Sequence, residues 1–467
     1  MQLRLWCVQV PLPNVAPTIV TARAIPNKIS ADELLKFQVE VLNGLINEKI
    51  PVVSSAADGS ASERSMQAKL VDGAGATREF IIRHPDPNKQ RITTAIPIFR
   101  GQPVVMIQDA KHAAKTARNN VMTGAKCLTL GNYVAMYSQV RKLAKDKEGP
   151  LYERDVERVD RQDDNAACRL LSAAALEWLE RYHDSDPVHE EVRGLIVFLF
   201  LMGEVVDAYQ NREIPHLERV KMVLRLYFFL ERWELFLGHA QYPKTTHFIS
   251  GQFRNILQTV IFGLIQLIVV YRDNYGSRFP LLPWLHSTEV CEHVFGVLRS
   301  LIKDFTMLDF YNLVPKLFLQ LRVHTTTSAH ALGKDTAAGY AHTWADCRGI
   351  NLTALSAFPT DDQIHTAAKQ AFDEAENLFF ILGVTPKMLT SPPHSAPVST
   401  LLPGAEDIDN DDEDDDDDEP NEANEINYLY ECVEQLEASS LSSERKKRIM
   451  DLSYGLITLS AHKDTEM

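Results

Sequence analysis

The chain has 467 residues, 45% hydrophobic and 24% charged, which is apolar material for more than one core and excludes a wholly disordered chain. Six cysteines (Cys7, Cys127, Cys168, Cys291, Cys347, Cys432) form no CxxC pair, so zinc-finger spacing is absent, no disulfide framework is suggested, and a reducing compartment is expected. The net charge of −15 is concentrated in one stretch: residues 405–425 hold fourteen Asp or Glu and no Lys or Arg, and without them the body stands at −1, so the acidity does not decide whether the body binds nucleic acid.

The first residues lack the charged-then-apolar pattern of a signal peptide. Residues 3–10 are rich in β-formers and stop at Pro11 and Pro13; 18–24 form a second short strand. Asp32 is expected to cap a helix of about fifteen residues with apolar positions at Leu34, Leu35, Val39, Val41, Leu42 and Leu45. A strand from Pro51 runs into Asp58-Gly59, and another over 103–107 runs into Asp109. This order predicts a small mixed sheet with helices on its faces, within an α/β chain in which helix dominates.

From 125 to 286 the pattern turns helical, with helices expected at 166–181, 188–209, 217–239 and 245–271. The apolar runs 195–202 and 256–270 read as buried core helices: the first is too short to span a bilayer, and the second carries Gln258, Thr259 and Gln266. A helix starts near Ser287, and others follow at 309–323 and 361–382. Residues 386–426, rich in Pro, Ser and Asp, read as a disordered acidic linker, followed by a short helix at 427–438 and the basic run 445–448, a nuclear-localisation candidate. The domains expected are 1–124, a helical insertion 125–286, a helical part 287–385, the linker 386–426 and a tail 427–467.

Three segments could carry chemistry. Asp109 opens a helix on which Lys111, Lys115 and Arg118 recur at helical spacing, with His112 and Asn119 alongside; this is either a plain capped, solvated helix or a cationic face for phosphate. In the helix after Ser287-Thr288, Glu289 and Glu292 are i, i+3 neighbours, and Gly296 and Arg299 extend the Glu292 face. An interior Gly costs about 1 kcal/mol relative to Ala, which a close backbone approach at Gly296, by another helix or by a ligand, would offset; the other reading of this segment is an ordinary amphipathic helix with exposed acids. Asp58-Gly59 is a common turn and equally a strand-end carboxylate.

In this order the segments resemble the signatures of P-element and THAP-type transposases and related fungal elements. Asp58-Gly59 is similar to an Asp-Gly that follows a strand in those families. Asp109, His112, Lys115, Arg118 and Asn119 match a D-x-x-H-x-x-K-x-x-R-N helix start. Ser287, Thr288, Glu292, Phe295, Gly296 and Arg299 match an S-T-x-x-x-E-x-x-F-G-x-x-R helix, and the Asp304–Phe310 segment also looks like the family. The resemblance covers roughly 1–325. It implies an RNase H-like mixed sheet interrupted by the helical insertion, and a two-Mg²⁺ DNA cleavage and strand-transfer site in which Asp58 and Glu292 are metal ligands. It further implies transposon-end DNA as partner, homo-oligomerisation, and a guanine nucleotide near the Asp109–Arg118 face with Asp163, Asp164 and Asn165.

Residues 1–31 contain no acid, where the family carries its first catalytic Asp on the first strand. The sheet is therefore expected to be incomplete, with the first strand missing and a DNA-binding module absent, and the enzyme inactive or truncated in this form. The alternative is a domesticated, non-catalytic nuclear protein that binds DNA, or binds basic proteins through the acidic stretch.

Overall fold

A computed structural model of the chain describes residues 2–123, 126–147, 149–157, 159–185, 191–326, 349–385 and 389. The stretch 405–425, the expected helix 427–438, the run 445–448, Cys347 and Cys432 lie outside the described residues. The chain divides into two compact units. Unit 1 comprises Met1–Ala113, Val205–Leu224 and Asn255–Gln370; unit 2 comprises Ala114–Glu204, Arg225–Arg254 and Ala371–Met467.

Unit 1 holds the mixed strands. β1 (Gln2–Val8) pairs antiparallel with β2 (Thr18–Ile25), with a bulge between Trp6 and Cys7. Helix α1 (Ala31–Asn47) starts two residues before the sequence expectation. Its cap is Ser30, not Asp32, because Ser30 and Glu33 form a reciprocal capping box; Asp32 lies in the first turn and pairs with Lys69 at 2.7 Å. Leu34, Gln38, Leu42 and Ile46 recur every fourth residue and form its buried stripe.

Strand β3 (Ser54–Ala57) leads through α2 (Ala61–Asp72) and the strands β4 (Ala76–Ile82), β5 (Ile92–Phe99) and β6 (Gln102–Pro103) to β7 (Val105–Gln108). β4, β5 and β6 make an antiparallel sheet of their own, which the sequence reading did not anticipate. Val104, inside the strand expected over 103–107, bonds Pro97 O instead and separates β6 from β7. β3 and β7 are parallel, and all four β7 residues are buried, as in a strand covered on both faces. Their ladder has a definite parity. Val105 N donates to Val53 O and Asp109 N to Ala57 O, so residues 53, 55 and 57 turn their backbone groups toward β7. Those of Ser54 and Ala56 face the opposite edge, where β3 has no strand partner among the described residues.

Helices α11 (Glu289–Leu301) and α12 (Met307–Thr326) close unit 1 over β1 and β2: Val294, Val297, Leu298, Phe310, Leu317 and Leu321 share a core with Leu5 and Ala22. Gly263, in α10 (Gly251–Asn274), is required by packing, since a Cβ there would stand 2.9 Å from Ile107 Cδ1 and 3.0 Å from Met106 O. α10 is long and apolar enough to cross a membrane, yet 72% of its apolar window is buried in the fold, the expected core helix.

Unit 2 is mostly helical: the later turns of α3 (Ala110–Met122), α4 (Tyr137–Lys145), α5 (Asp164–Leu170), α6 (Ala173–Ser185), most of α7 (Arg193–Gln210) and α8 (His216–Ala240), and α9 (Lys244–His247). The C-terminal half of α13 (Asp361–Ile381) also belongs to it. The helix expected over 166–181 is broken at Leu171-Ser172, where Ser172 Oγ accepts from Ala175 N. The one over 245–271 is broken between α9 and α10, where Ser250 Oγ accepts from Phe253 N. A hairpin of β8 (Leu128–Leu130) and β9 (Tyr133–Ala135) interrupts the helical pattern, turning at Gly131 with φ of 63°.

Three histidines are buried as neutral rings. In unit 1, His216 Nε2 bonds Leu355 O, and His286 lies between Ser54 Oγ and Tyr271 OH; in unit 2, His247 Nδ1 faces Thr129 Oγ1. Burial pushes each from its ordinary 6.5 to about 4. The unfolded chain takes up protons at pH 6.5 that the fold refuses until about pH 4. Stability is therefore complete above pH 6.5 and declines as pH falls toward 4, by about 1 kcal/mol per pH unit for each ring. Thermal melts from pH 7 to 4 should show this decline, and replacing His286 by Gln should flatten it; a pH-independent melting point would contradict the assignment.

Candidate functional site

Asp109 directly follows β7 and begins α3. Its carboxylate is buried and bonded on both oxygens: Oδ1 accepts from Lys111 N at 2.8 Å, and Oδ2 accepts from Thr288 N and Thr288 Oγ1, each at 2.8 Å. One side chain thus serves the starts of two helices, α3 and α11. Of the two adjacent hydroxyl residues, Ser287 and Thr288, Thr288 is the N-cap residue of α11, but its hydroxyl donates to Asp109 instead of capping its own helix. Burial opposes the ionised form. The charge of His112 and the donors from Thr288 and Lys111 outweigh it and hold the carboxyl below its ordinary value.

Two further pairs join the same helix starts. Lys111 Nζ meets Glu289 Oε1 at 2.6 Å, and His112 Nε2 meets Glu292 Oε1 at 3.0 Å. Glu289 is buried, which raises its carboxyl above the ordinary range against the pull of Lys111. Glu292 is more exposed and lies one turn along the same face.

Asp58 follows β3 as Asp109 follows β7. Because Ala57 is in register with Gln108, the two aspartates leave adjacent parallel strands at the same end. The Asp58 side chain is exposed, and its Oδ1 accepts from Ser60 N at 3.0 Å. Gly59 has φ of 93°, and a Cβ there would stand 2.8 Å from Gln108 Oε1, so only glycine fits. Gln108 in turn donates to Gln67, while its buried Oε1 has no hydrogen-bond partner. The sequence reading gave no role to Gln67 or Gln108; a Gln ending an otherwise apolar strand was the available signal.

Asp58 and Glu292 have the oxygen chemistry that Mg²⁺ prefers. Asp109, between them in the chain, is committed to helix-start donors, and among the described residues no three His, Cys, Asp or Glu side chains are grouped to hold a metal ion.

The remaining residues of the cationic helix belong to unit 2, and there they are already engaged. Lys115 Nζ pairs with Asp164 Oδ1 at 3.0 Å, and Arg118 donates to the carbonyls of Asp163 and Asp160 at 3.1 and 2.7 Å. Asp163 caps α5 through the amides of Asn165 and Ala166. Arg169 holds Asp155 with two bonds, at 2.8 and 2.6 Å. Asn119 is buried at Oδ1 without a partner there. A phosphate reaching Lys115 and Arg118 would displace a carboxylate and two carbonyls. At Gly296 a Cβ would meet nothing within 4 Å, which favours an ordinary amphipathic helix over a close backbone approach.

No protein-family model and no curated protein matches the sequence. Among solved structures, the chain is similar to the Drosophila P element transposase strand transfer complex, at 14% identity and a TM-score of 0.44. The alignment covers 66% of this chain and 66% of that one, just under two thirds of the transposase chain's length.

Asp109→Asn should place an amide N–H₂ or a weaker acceptor against the donors of Lys111 and Thr288. A loss of about 2–4 kcal/mol is expected, read as a lower denaturation midpoint; an unchanged midpoint would remove the junction from its structural role. Gly296→Ala should add about 0.5–1 kcal/mol, because the site is open and helical. A lower melting point for that variant would mean that something does approach this face.

Proposed function

We propose that the chain is transposase-derived, with unit 1 carrying the remnant of an RNase H-like DNA cleavage and strand-transfer core. One observation carries the reading: the three segments that resemble the transposase signatures, far apart in sequence, meet at one end of unit 1. Asp58 and Asp109 leave adjacent parallel strands, and Asp109 is bonded to the start of the helix bearing Glu292. In this reading the open edge of β3, at Ser54 and Ala56, accepts the further strand of a complete sheet, and β1 and β2 supply no carboxylate of their own. Mg²⁺ is the cofactor of the complete site, duplex DNA the partner and the nucleus the location.

A second reading, a non-catalytic DNA- or protein-binding protein, is favoured by the partners the acids already have: His112 on Glu292 and Lys111 on Glu289. One set of assays tests both readings. The 467-residue chain should bind duplex DNA with an affinity that falls as salt rises, and should show no Mg²⁺- or Mn²⁺-dependent cleavage. Cleavage abolished by Glu292→Ala would establish the active enzyme and overturn the inactive form. Binding no tighter than that of a neutral control protein at low salt would sink the DNA-centred readings together.

A further inference from the structure

Helix α12 is apolar on two sides. Phe310, Leu317 and Leu321 turn into the core shared with β1 and β2. On the other side Leu308 is 69% exposed, Tyr311 56%, Leu319 63% and Val323 46%, and Pro315 between them is exposed as well. At about 100° per residue these five side chains fall on one arc of about 120°, and from Leu308 to Val323 the stripe runs about 22 Å. Exposed apolar side chains scattered singly are ordinary, but a continuous stripe marks a contact surface. No other helix among the described residues exposes four large apolar side chains. The charge of this face has one sign. Arg322 lies within the arc and Lys316 at its margin, both exposed, and the arc holds no acid. Asp309, just beyond Lys316 around the helix, turns its carboxylate back onto Thr306 N and Thr306 Oγ1, at 2.8 and 2.6 Å. Pro315 has no N–H, so the Tyr311 carbonyl on this side lacks its intrahelical donor.

We propose that this face of α12 docks an amphipathic helix of a partner protein, with leucine-type anchors at helical spacing and Glu or Asp along its flanks. The backbone of α12 is spent on its own helix and offers no ladder to an extended strand, whereas a long row of side chains fits a second helix. Leu308, Tyr311 and Leu319 supply the apolar contact, and Lys316 and Arg322 meet the partner's acids at the rim. A Gln or Ser of the partner donates to the Tyr311 carbonyl. The charges disfavour a second copy of this chain. Lys316 stands beside the midpoint of the stripe, so in an antiparallel pair of α12 helices it meets its own counterpart; in a parallel pair Lys316 and Arg322 both do. Duplex DNA carries about one charge per 1.7 Å, which two cations in an apolar stripe match poorly. Docking at this face is independent of any DNA chemistry.

The test is fluorescence anisotropy of the full chain with labelled helical peptides of about 18 residues. A peptide with leucines at i, i+3, i+4 and i+7 and glutamates on both flanks should bind saturably, and more weakly as salt rises. The same peptide with lysine in place of glutamate should bind at least roughly tenfold more weakly. Lys316→Glu should weaken the acidic peptide about tenfold, and Leu319→Asp should abolish its saturable binding. Both side chains are exposed, so circular dichroism and the melting point of each variant should match those of the parent. Equal binding of the two peptides, or acidic-peptide binding that neither substitution changes, overturns the proposal. A dimer in sedimentation velocity that Leu319→Asp dissolves also overturns it, giving the face to a second copy. Binding to phosphatidylserine vesicles that Leu319→Asp abolishes overturns it in favour of a lipid surface.

Discussion

A buried carboxylate bonded to two helix starts organises unit 1. Asp109 is buried, and its charge persists because the charge of His112, an amide from α3 and an amide and hydroxyl from Thr288 converge on it. The positive ends of two helix dipoles add to those bonds. Removing any one donor would leave the charge partly uncompensated, which in a buried site is costly. The register of α11 follows from this. With Thr288 fixed, Glu289 falls opposite Lys111 and Glu292 opposite His112, and Val294, Val297 and Leu298 on the other side meet β1 and β2. Acidic and apolar faces of one helix are thus both aligned by a residue 179 positions away in the chain.

The parts of this that were legible in the sequence are the local ones. Asp109 after an apolar strand reads as a cap, Ser287 or Thr288 as the cap of the next helix, and Lys111, Lys115 and Arg118 as one helical face, because each needs only neighbours within a turn or two. The junction of Asp109 with Thr288 is not readable, since nothing local says that two caps meet. The cationic face misleads for the same reason: its spacing is correct, but Glu289, Asp164 and the carbonyls of Asp160 and Asp163 arrive from elsewhere. At α1 the Ser30-x-x-Glu33 capping box is a local signal too, and it competes with Asp32, itself a good cap two residues on. The β8–β9 hairpin carried a Gly131-Asn132 turn signal that the long apolar surroundings obscured.

Buried guanidinium groups recur as ties for irregular backbone. Within unit 2, Arg118 closes the loop before α5 through two carbonyls, and Arg225 links Glu204 to Glu374. Within unit 1, Arg219 donates to the carbonyls of Ala208, Asn211 and Ile214, answering acceptors at the end of α7 that the helix cannot satisfy itself. Burial lowers Arg219 to about 9, yet it remains charged at neutral pH. A lysine has neither the planar fork nor the number of donors to replace it. These guanidinium groups are consequently spent on holding the chain together and are not free for an outside anion.

The parity of β3 has a consequence for handling the protein. A strand edge with outward N–H and C=O groups is a template for any extended chain, including another copy partly unfolded. Here the edge is only four residues long and its side chains are Ser, Ser, Ala and Ala. So short and so small a strand offers few ladder bonds and little apolar surface to a stray partner. The edge can go without a strand partner and not make the molecule self-adhesive, and lengthening or greasing it, for instance with valine at Ser54 and Ala56, is the change most apt to promote aggregation.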